Sequence, residues 1–207
     1  MKNRTALPTF ASWLDQLADA KKRDGWLSAC QDAGRFLLPC RQLITAPAKV
    51  LKSLKAEPVL KVCAGRGELA QALDAVGIPI VATDAKAPAG SIVLRVSTEK
   101  ALKRYRPAVV LGSSVPLGSR VDEAVLGFPS VQHYIMLGAR IGGVLGSEAL
   151  WQNAAWVAEP LDRVSRWMLT RHDVWMGLPG RVVLQHGEAW HFRRKKKDEH
   201  YDSVFDF

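Results

Sequence analysis

The sequence contains no apolar run long enough to cross a bilayer, because Arg, Asp or Glu interrupts its apolar stretches every few residues. Its first residues, MKNRTALPTFASWLDQ, do not include the continuous apolar segment of a secretory signal. Cysteine is scarce. The three that occur, Cys30, Cys40 and Cys63, form no Cys-x-x-Cys pair, the usual pattern of a structural zinc site. We therefore expect a cytoplasmic protein with free thiols, no metal and no membrane association.

The composition is that of a globular protein, with 48% hydrophobic and 24% charged residues. The formal net charge is +9, and a positive excess favours a polyanionic partner such as RNA or DNA. Part of this charge is the run RRKKK at residues 193–197, and such a run near a C-terminus is usually solvated. Charge alone therefore leaves a small-molecule or a nucleic-acid substrate open, and the oligomeric state stays unknown.

The hydrophobic pattern divides the chain into three parts. Residues 1–57 are helical in pattern: 12–23 predict a helix capped by Ser12, and Pro47 indicates the start of a later helix. In residues 58–192, short apolar runs alternate with helical segments, which is typical of a Rossmann-like domain, and residues 193–207 are predicted to be a basic tail. Within the second part, the segment 156–169 has the spacing of an amphipathic helix.

From Val59 onward, short apolar runs alternate with helical segments, which predicts a parallel sheet with right-handed crossovers. The short connection between the last two runs predicts an antiparallel hairpin at one sheet edge. The fold class that follows is a doubly wound, mostly parallel α/β sheet with a C-terminal antiparallel hairpin, preceded by a helical segment. The predicted strands are 59–63, 79–83, 91–96, 108–112, 133–138, 171–177 and 181–187.

The segment VLKVCAGRGELA, residues 59–70, predicts a buried strand, a glycine turn and the start of a helix. In such sheets, ligands bind beyond the carboxyl ends of the strands. Gly65 and Gly67 let a ligand approach the backbone closely. Asp84 ends the next strand, where a carboxylate can accept hydrogen bonds from two ribose hydroxyls. The pattern therefore predicts a nucleoside-containing cofactor.

This segment, followed by IPIVATDA, resembles the cofactor-binding segment of class I S-adenosylmethionine-dependent methyltransferases, and the resemblance covers roughly residues 45 to 190. It implies that Ala64, Gly65 and Gly67 line the methionine part of S-adenosylmethionine. It also implies that Asp84 binds the ribose and that Ser97 lies near the adenine. The cofactor-binding residues expected on this basis are Cys63, Ala64, Gly65, Gly67, Asp84, Ser97 and Ser113.

The sequence departs from the family pattern at two places. The family usually has Asp or Glu two residues before the first turn glycine, where this chain has Lys61 and then Cys63. A lysine there brings a like charge toward the cofactor's ammonium and sulfonium groups. After the fourth strand, amine-methylating members often carry Asp/Asn-Pro-Pro-aromatic, whereas this chain has GSSVPLGS with Ser113 and Ser114. The missing aromatic platform weakens the case for a nucleobase amine as substrate.

Three functions remain open at this stage. The first is a methyltransferase of unknown substrate, for which the sequence assigns no catalytic residue. A histidine could act as general base; the chain has His133, His172, His186, His191 and His200. The second is a degenerate methyltransferase-fold module that binds RNA or a protein partner. The third is an NAD(P)-binding oxidoreductase, because Gly65-x-Gly67-x-x-Ala70 with Asp84 also fits a dinucleotide fingerprint.

Overall fold

A seven-stranded sheet forms the centre of the molecule. The computed structural model describes residues 7–32, 34–116, 118–139, 146–171, 173 and 187–196. The strands lie in the order β3-β2-β1-β4-β5-β7-β6. Their bounds are β1 Val59–Val62, β2 Ile80–Asp84, β3 Leu94–Arg95, β4 Val109–Ser113, β5 His133–Ala139, β6 Trp156–Pro160 and β7 Gly187–Arg194. The first five strands pair in parallel, and β7 runs antiparallel to both of its neighbours, β5 and β6.

Helices cover both faces of this sheet. Their bounds are α1 Phe10–Ala18, α2 Ala20–Asp32, α3 Arg41–Ser53, α4 Glu68–Asp74, α5 Thr98–Tyr105, α6 Val121–Gly127, α7 Glu148–Trp151 and α8 Asp162–Ser165. One core contains side chains of α3, α4 and α8 against the sheet, and the other contains side chains of α5, α6 and α7. Alternate residues of one strand serve the two cores: Ile135 and Leu137 face the first, whereas Tyr134 and Met136 face the second. Strands buried on both faces explain the continuous apolar runs in the sequence.

The N-terminal part differs from the sequence prediction in two places. The helix predicted over 12–23 is two helices, because Asp19 adopts extended backbone between α1 and α2. The cap is Thr9 rather than Ser12, and its side chain accepts a hydrogen bond from the Ser12 amide at 3.1 Å. Pro47 lies inside α3, which begins six residues earlier because the Cys40 sulfur accepts a hydrogen bond from the Leu43 amide at 3.3 Å.

The predicted fold class is confirmed, but other residues form the antiparallel pair. The segment 156–169, predicted as one amphipathic helix, begins with β6 and continues as the short helix α8. Pro160 ends β6 at the edge of the sheet, where a residue without an amide donor is tolerated. Of the strand predicted at 171–177, Arg171 and Asp173 are helical and the rest lies outside the described residues. Of that at 181–187, only Gly187 is described, and it begins β7.

The basic run at the C-terminus begins inside the sheet, since Arg193 and Arg194 are the last residues of β7. Arg194 donates hydrogen bonds to the carbonyl oxygens of Val131, Leu126 and Phe128 at 2.8–3.0 Å. Its guanidinium also lies 4.6 Å from the ring centroid of Trp156. Arg194 is therefore a structural residue that fixes the end of α6 against the sheet.

No helix within the described ranges is both long and apolar enough to cross a membrane.

Candidate functional site

A cavity of about 760 Å³ lies beyond the carboxyl ends of β1, β2 and β4. It is the position at which open α/β sheets bind ligands. The residues around it belong to four segments, within 34–39, 63–69, 84–88 and 113–121, together with Leu43 and Thr98. Three of these segments directly follow or end a strand, so the parallel sheet itself brings them together.

The turn after β1 is held open by backbone conformation and by Asp84. Cys63 and Gly65 both have positive φ, 49° and 55°. A Cβ atom at Gly65 would have nothing within 4 Å, so the backbone there faces open space. The Gly65 amide donates to Asp84 Oδ2 at 2.9 Å, and the Lys86 amide donates to Oδ1 at 2.7 Å. The carboxylate that ends β2 therefore fixes the glycine turn beside it.

Five of the seven residues predicted to bind the cofactor line this cavity: Cys63, Ala64, Gly65, Asp84 and Ser113. Gly67 does not. A Cβ there would lie 2.7 Å from Cγ2 of Val93, so this glycine permits close packing of the turn against the segment before β3. Ser97 does not line the cavity either, because its hydroxyl caps α5 by accepting from the Lys100 amide at 3.4 Å. The adjacent Thr98 lines the cavity instead.

The N-terminal segment supplies one wall of the cavity, which the sequence did not indicate. Arg35 donates from Nε to Glu68 Oε2 at 2.8 Å, and its Nη2 bonds the other oxygen of the same carboxylate. This bidentate pair joins the chain after α2 to the first turn of α4. The hydrogen bond to Glu68 is the main cause that raises the pKa of Arg35. A pair 33 residues apart in sequence leaves no local pattern by which to find it.

Lys61 lies in β1, directly before the turn, with only 1% of its surface exposed. Its ammonium donates to the carbonyl oxygen of Val62 at 2.7 Å and to that of Cys63 at 3.2 Å. Burial lowers the pKa of Lys61 to about 8, against the smaller opposing effects of Cys63 and Asp84. Lys61 is not among the cavity-lining residues, so its charge lies behind the turn and not in the cavity.

The segment after β4 brings three serine residues to the cavity: Ser113, Ser114 and Ser119. Ser114 has a positive φ of 50°. The hydroxyl of Ser119 is buried and has no hydrogen-bond partner among the described residues. A buried hydroxyl is rarely left without a partner, so Ser119 is a candidate contact for a bound ligand.

A buried polar network lies close behind this segment, formed by residues that were not predicted to belong to the site. Asp122, at 1% exposure in the first turn of α6, accepts from the Tyr134 hydroxyl at 2.8 Å and from the Ser147 amide at 2.7 Å. Burial raises the pKa of Asp122, partly offset by these hydrogen bonds. The one signal in the sequence was Gly112 within a strand, since a Cβ there would lie 2.5 Å from the tyrosine oxygen.

The described histidines are remote from the cavity. His133 begins β5, at the opposite end of the sheet, where its Nδ1 lies 3.0 Å from Nε2 of His191. Glu159 lies 3.7 Å from the other nitrogen of His191. Burial lowers the pKa of both histidines. Neither can act as general base at the cavity; His172, His186 and His200 lie outside the described residues.

Within the part of the chain that the structure describes, no group of three or more His, Cys, Asp or Glu side chains could hold a metal ion.

Comparison with known proteins gives matches of fold only. No family model and no curated protein sequence matches the chain. Similar solved structures include the methyltransferase domain of bacterial CtHen1-CN (TM-score 0.47, 13% identity, covering 74% of this chain and 98% of that one). A second is the 23S rRNA methyltransferase ErmE (TM-score 0.41, 18% identity, covering 77% of this chain and 70% of that one). A third is the plantazolicin methyltransferase BpumL in complex with a triazolic desmethylPZN analog and SAH (TM-score 0.43, 10% identity, covering 90% of this chain and 96% of that one).

The strand order, with β7 reversed between β5 and β6, is the observation that decides the architecture. The chain has a doubly wound, mostly parallel α/β fold with an antiparallel pair at one edge of the sheet. The cavity described above is at the carboxyl ends of the parallel strands, and the histidine pair is at the other end of the sheet.

Proposed function

We propose that the chain is an S-adenosylmethionine-dependent methyltransferase. The observation that carries this proposal is the cavity at the carboxyl ends of β1, β2 and β4, with the Gly65 backbone and the Asp84 carboxylate on its lining. These groups meet where an adenosyl ligand needs a close backbone approach and a ribose acceptor. The volume of about 760 Å³ lies within the range of small-molecule sites and leaves room for a substrate beside the cofactor.

The residues present fit an adenosyl ligand. Each oxygen of Asp84 accepts one backbone amide, and an ionised carboxylate offers about four acceptor positions, so two remain for ribose hydroxyls. The space in front of Gly65 would be narrowed by any side chain there. The unpartnered hydroxyl of Ser119 gives the ligand or the substrate a further hydrogen bond. The ammonium of Lys61 is bound to two backbone carbonyl oxygens behind the turn, and Lys61 is not among the residues that line the cavity.

Bound S-adenosylmethionine supplies an electrophilic methyl group. The protein contributes by holding the nucleophile of the substrate in line with that group, and such positioning is worth about 7–11 kcal/mol in well-oriented systems. Ser113 and Ser114 line the cavity, and their hydroxyls can hydrogen-bond a substrate there. No described histidine reaches the cavity, so we assign no general base and expect a nucleophile that needs none.

The rim of the cavity is positively charged. Arg66 and Lys86 are exposed cations on its lining, whereas Glu68 is paired with Arg35. Such a rim suits an anionic small molecule or a nucleic acid. It also favours a second candidate function, in which the same fold binds RNA without catalysis.

Calorimetric titration with S-adenosylhomocysteine, with NADH in a parallel cell, tests the proposal. We expect micromolar binding of the first ligand alone. Asp84→Asn removes the charge of the ribose acceptor and should weaken binding by about 10- to 100-fold, the usual value of a charge-assisted hydrogen bond. Asp74→Asn, at the exposed end of α4, is the matched control and should leave the affinity unchanged.

The opposite results distinguish the alternatives. Binding of NADH alone would favour the dinucleotide-dependent oxidoreductase. If neither ligand binds to folded protein, the methyltransferase proposal fails and the RNA-binding candidate takes its place. The latter requires an affinity for single-stranded RNA whose logarithm falls linearly with the logarithm of salt concentration.

A further inference from the structure

Lys61 is a buried cation immediately behind the cofactor turn. Its ammonium has two carbonyl partners, Val62 and Cys63, and the described residues give it no carboxylate hydrogen-bond partner. The side chain is 1% exposed, so water does not screen its charge and the ammonium has no open space into which it could swing. A fixed, unscreened positive charge therefore acts on whatever occupies the cavity.

The hydrogen bonds of Lys61 reach the cavity lining itself. Cys63 lines the cavity and has positive φ, and its carbonyl oxygen accepts from the ammonium at 3.2 Å. Because this carbonyl oxygen already accepts from Lys61, it is a poorer acceptor for a cation bound in the cavity. The turn is thus tied on one side by Lys61 and on the other by Asp84, which binds the Gly65 amide.

We propose that Lys61 is a specificity-determining residue, which makes the cavity bind a neutral adenosyl thioether more tightly than the corresponding sulfonium. The inference rests on the proposed function and deepens it. A positive charge on the sulfur is repelled by the buried ammonium, whereas the neutral sulfur is not. The thioether product of methyl transfer would therefore be retained over the sulfonium cofactor. Sustained turnover would require a separate reaction that consumes thioether nucleosides.

Two nucleosides that differ by one S-methyl group and its charge test this directly. They are 5′-methylthioadenosine and its S-methyl sulfonium derivative, and neither carries the amino-acid group of the natural cofactor. We expect calorimetry at pH 7 to give the wild-type protein a preference for the thioether on the order of tenfold. Lys61→Met keeps most of the side-chain length and removes the charge. In this variant the preference for the thioether should be smaller than in the wild-type protein.

Lys103→Met is the matched control, because it removes one positive charge from an exposed position on α5. The preference of this variant for the thioether over the sulfonium should equal that of the wild-type protein. An equal preference in wild type and folded Lys61→Met would overturn the inference and leave the proposed function intact. Failure of both nucleosides to bind the wild-type protein would also overturn the inference, and the proposed function would fail only if S-adenosylhomocysteine did not bind either.

A pH series on the wild-type protein keeps the inference testable if Lys61→Met does not fold. The charged and titratable groups that act on Lys61 are Cys63 and Asp84. Burial raises the pKa of the Cys63 thiol, so the lysine is the group of this cluster that changes charge near pH 8. The preference for the thioether should decline as the pH rises from 7 to 9. A preference that stays constant over this range would refute the role of Lys61.

Discussion

At the scale of single residues, the buried ammonium of Lys61 makes the stability of the protein depend on pH. Burial lowers its pKa to about 8 in the folded state, below the ordinary value of 10.5. The unfolded chain therefore binds more protons than the folded one between these two pH values. Stability contributed by this residue rises with pH across that window, and below it the cost of burying the charge is fully present.

The expected size is measurable. The difference between the folded and the ordinary pKa of Lys61 corresponds to about 3 kcal/mol in the free energy of unfolding. About 1 kcal/mol of this is regained between pH 7 and pH 9. Urea unfolding of the wild-type protein and of Lys61→Met at pH 7 and pH 9 measures the change in the free energy of unfolding that is due to Lys61. Subtracting the variant removes the opposite contribution of Cys30, whose pKa burial raises to about 11. Parallel pH dependences in the two proteins would contradict a buried, protonated Lys61.

The residue scale is also where the sequence was most informative about the site. The glycine turn and the acid that ends the second strand are local sequence patterns. Because both follow parallel strands, the sheet brings them to the same edge independently of the conformation of the loops. Cys63, Gly65 and Asp84 therefore meet at the cavity. Asp122 and Tyr134 meet through tertiary packing, and no spacing in the sequence indicates such a contact.

At the scale of elements, the bidentate contact of Arg35 with Glu68 joins the N-terminal segment to α4. The two side chains are 34% and 40% exposed, so solvent weakens the ion pair, but the two parallel hydrogen bonds fix its geometry. A double-mutant cycle with Arg35→Met and Glu68→Gln should give a coupling free energy of about 1 kcal/mol in urea unfolding.

The pair Arg120 with Glu123 is a control for this cycle. It lies on the surface at the start of α6, with Arg120 at 86% exposure and a single hydrogen bond. Its coupling free energy should be close to zero, as is usual for exposed pairs. If both cycles gave the same coupling, the contact between the N-terminal segment and α4 would not be a specific connection.

The elements predicted correctly were those with a pattern that does not depend on their neighbours. Strands β1, β2, β4 and β5 were within one residue of their predicted ends, because burial on both faces produces continuous apolar runs. β6 was predicted as helix, because its apolar residues continue into those of α8. Pro47 was misleading as well, since the capping sulfur of Cys40 starts α3 earlier and burial in the core compensates for the lost amide.

At the scale of the whole molecule, the cavity depends on both the N-terminal segment and the sheet. Segment 34–39 forms one wall, and besides the Arg35 contact two backbone hydrogen bonds join it to residues 169–171. The Leu38 amide donates to the Leu169 carbonyl oxygen at 2.9 Å, and the Arg171 amide donates to that of Phe36 at 2.8 Å. A ligand in the cavity would therefore contact segments of the chain that range from residue 34 to residue 121.

Amide hydrogen exchange with and without 5′-methylthioadenosine measures this connection. A ligand that binds only the intact cavity lowers the population of every local opening that dismantles it. We expect slower exchange in 34–39 as well as in 63–67 and 84–86, and unchanged local exchange in β6 at the far edge of the sheet. NADH at the same concentration serves as the control ligand and should slow none of these segments. Protection confined to 63–67 and 84–86 would mean that the N-terminal segment is no wall of the binding site in solution, and the site would then belong to the sheet alone.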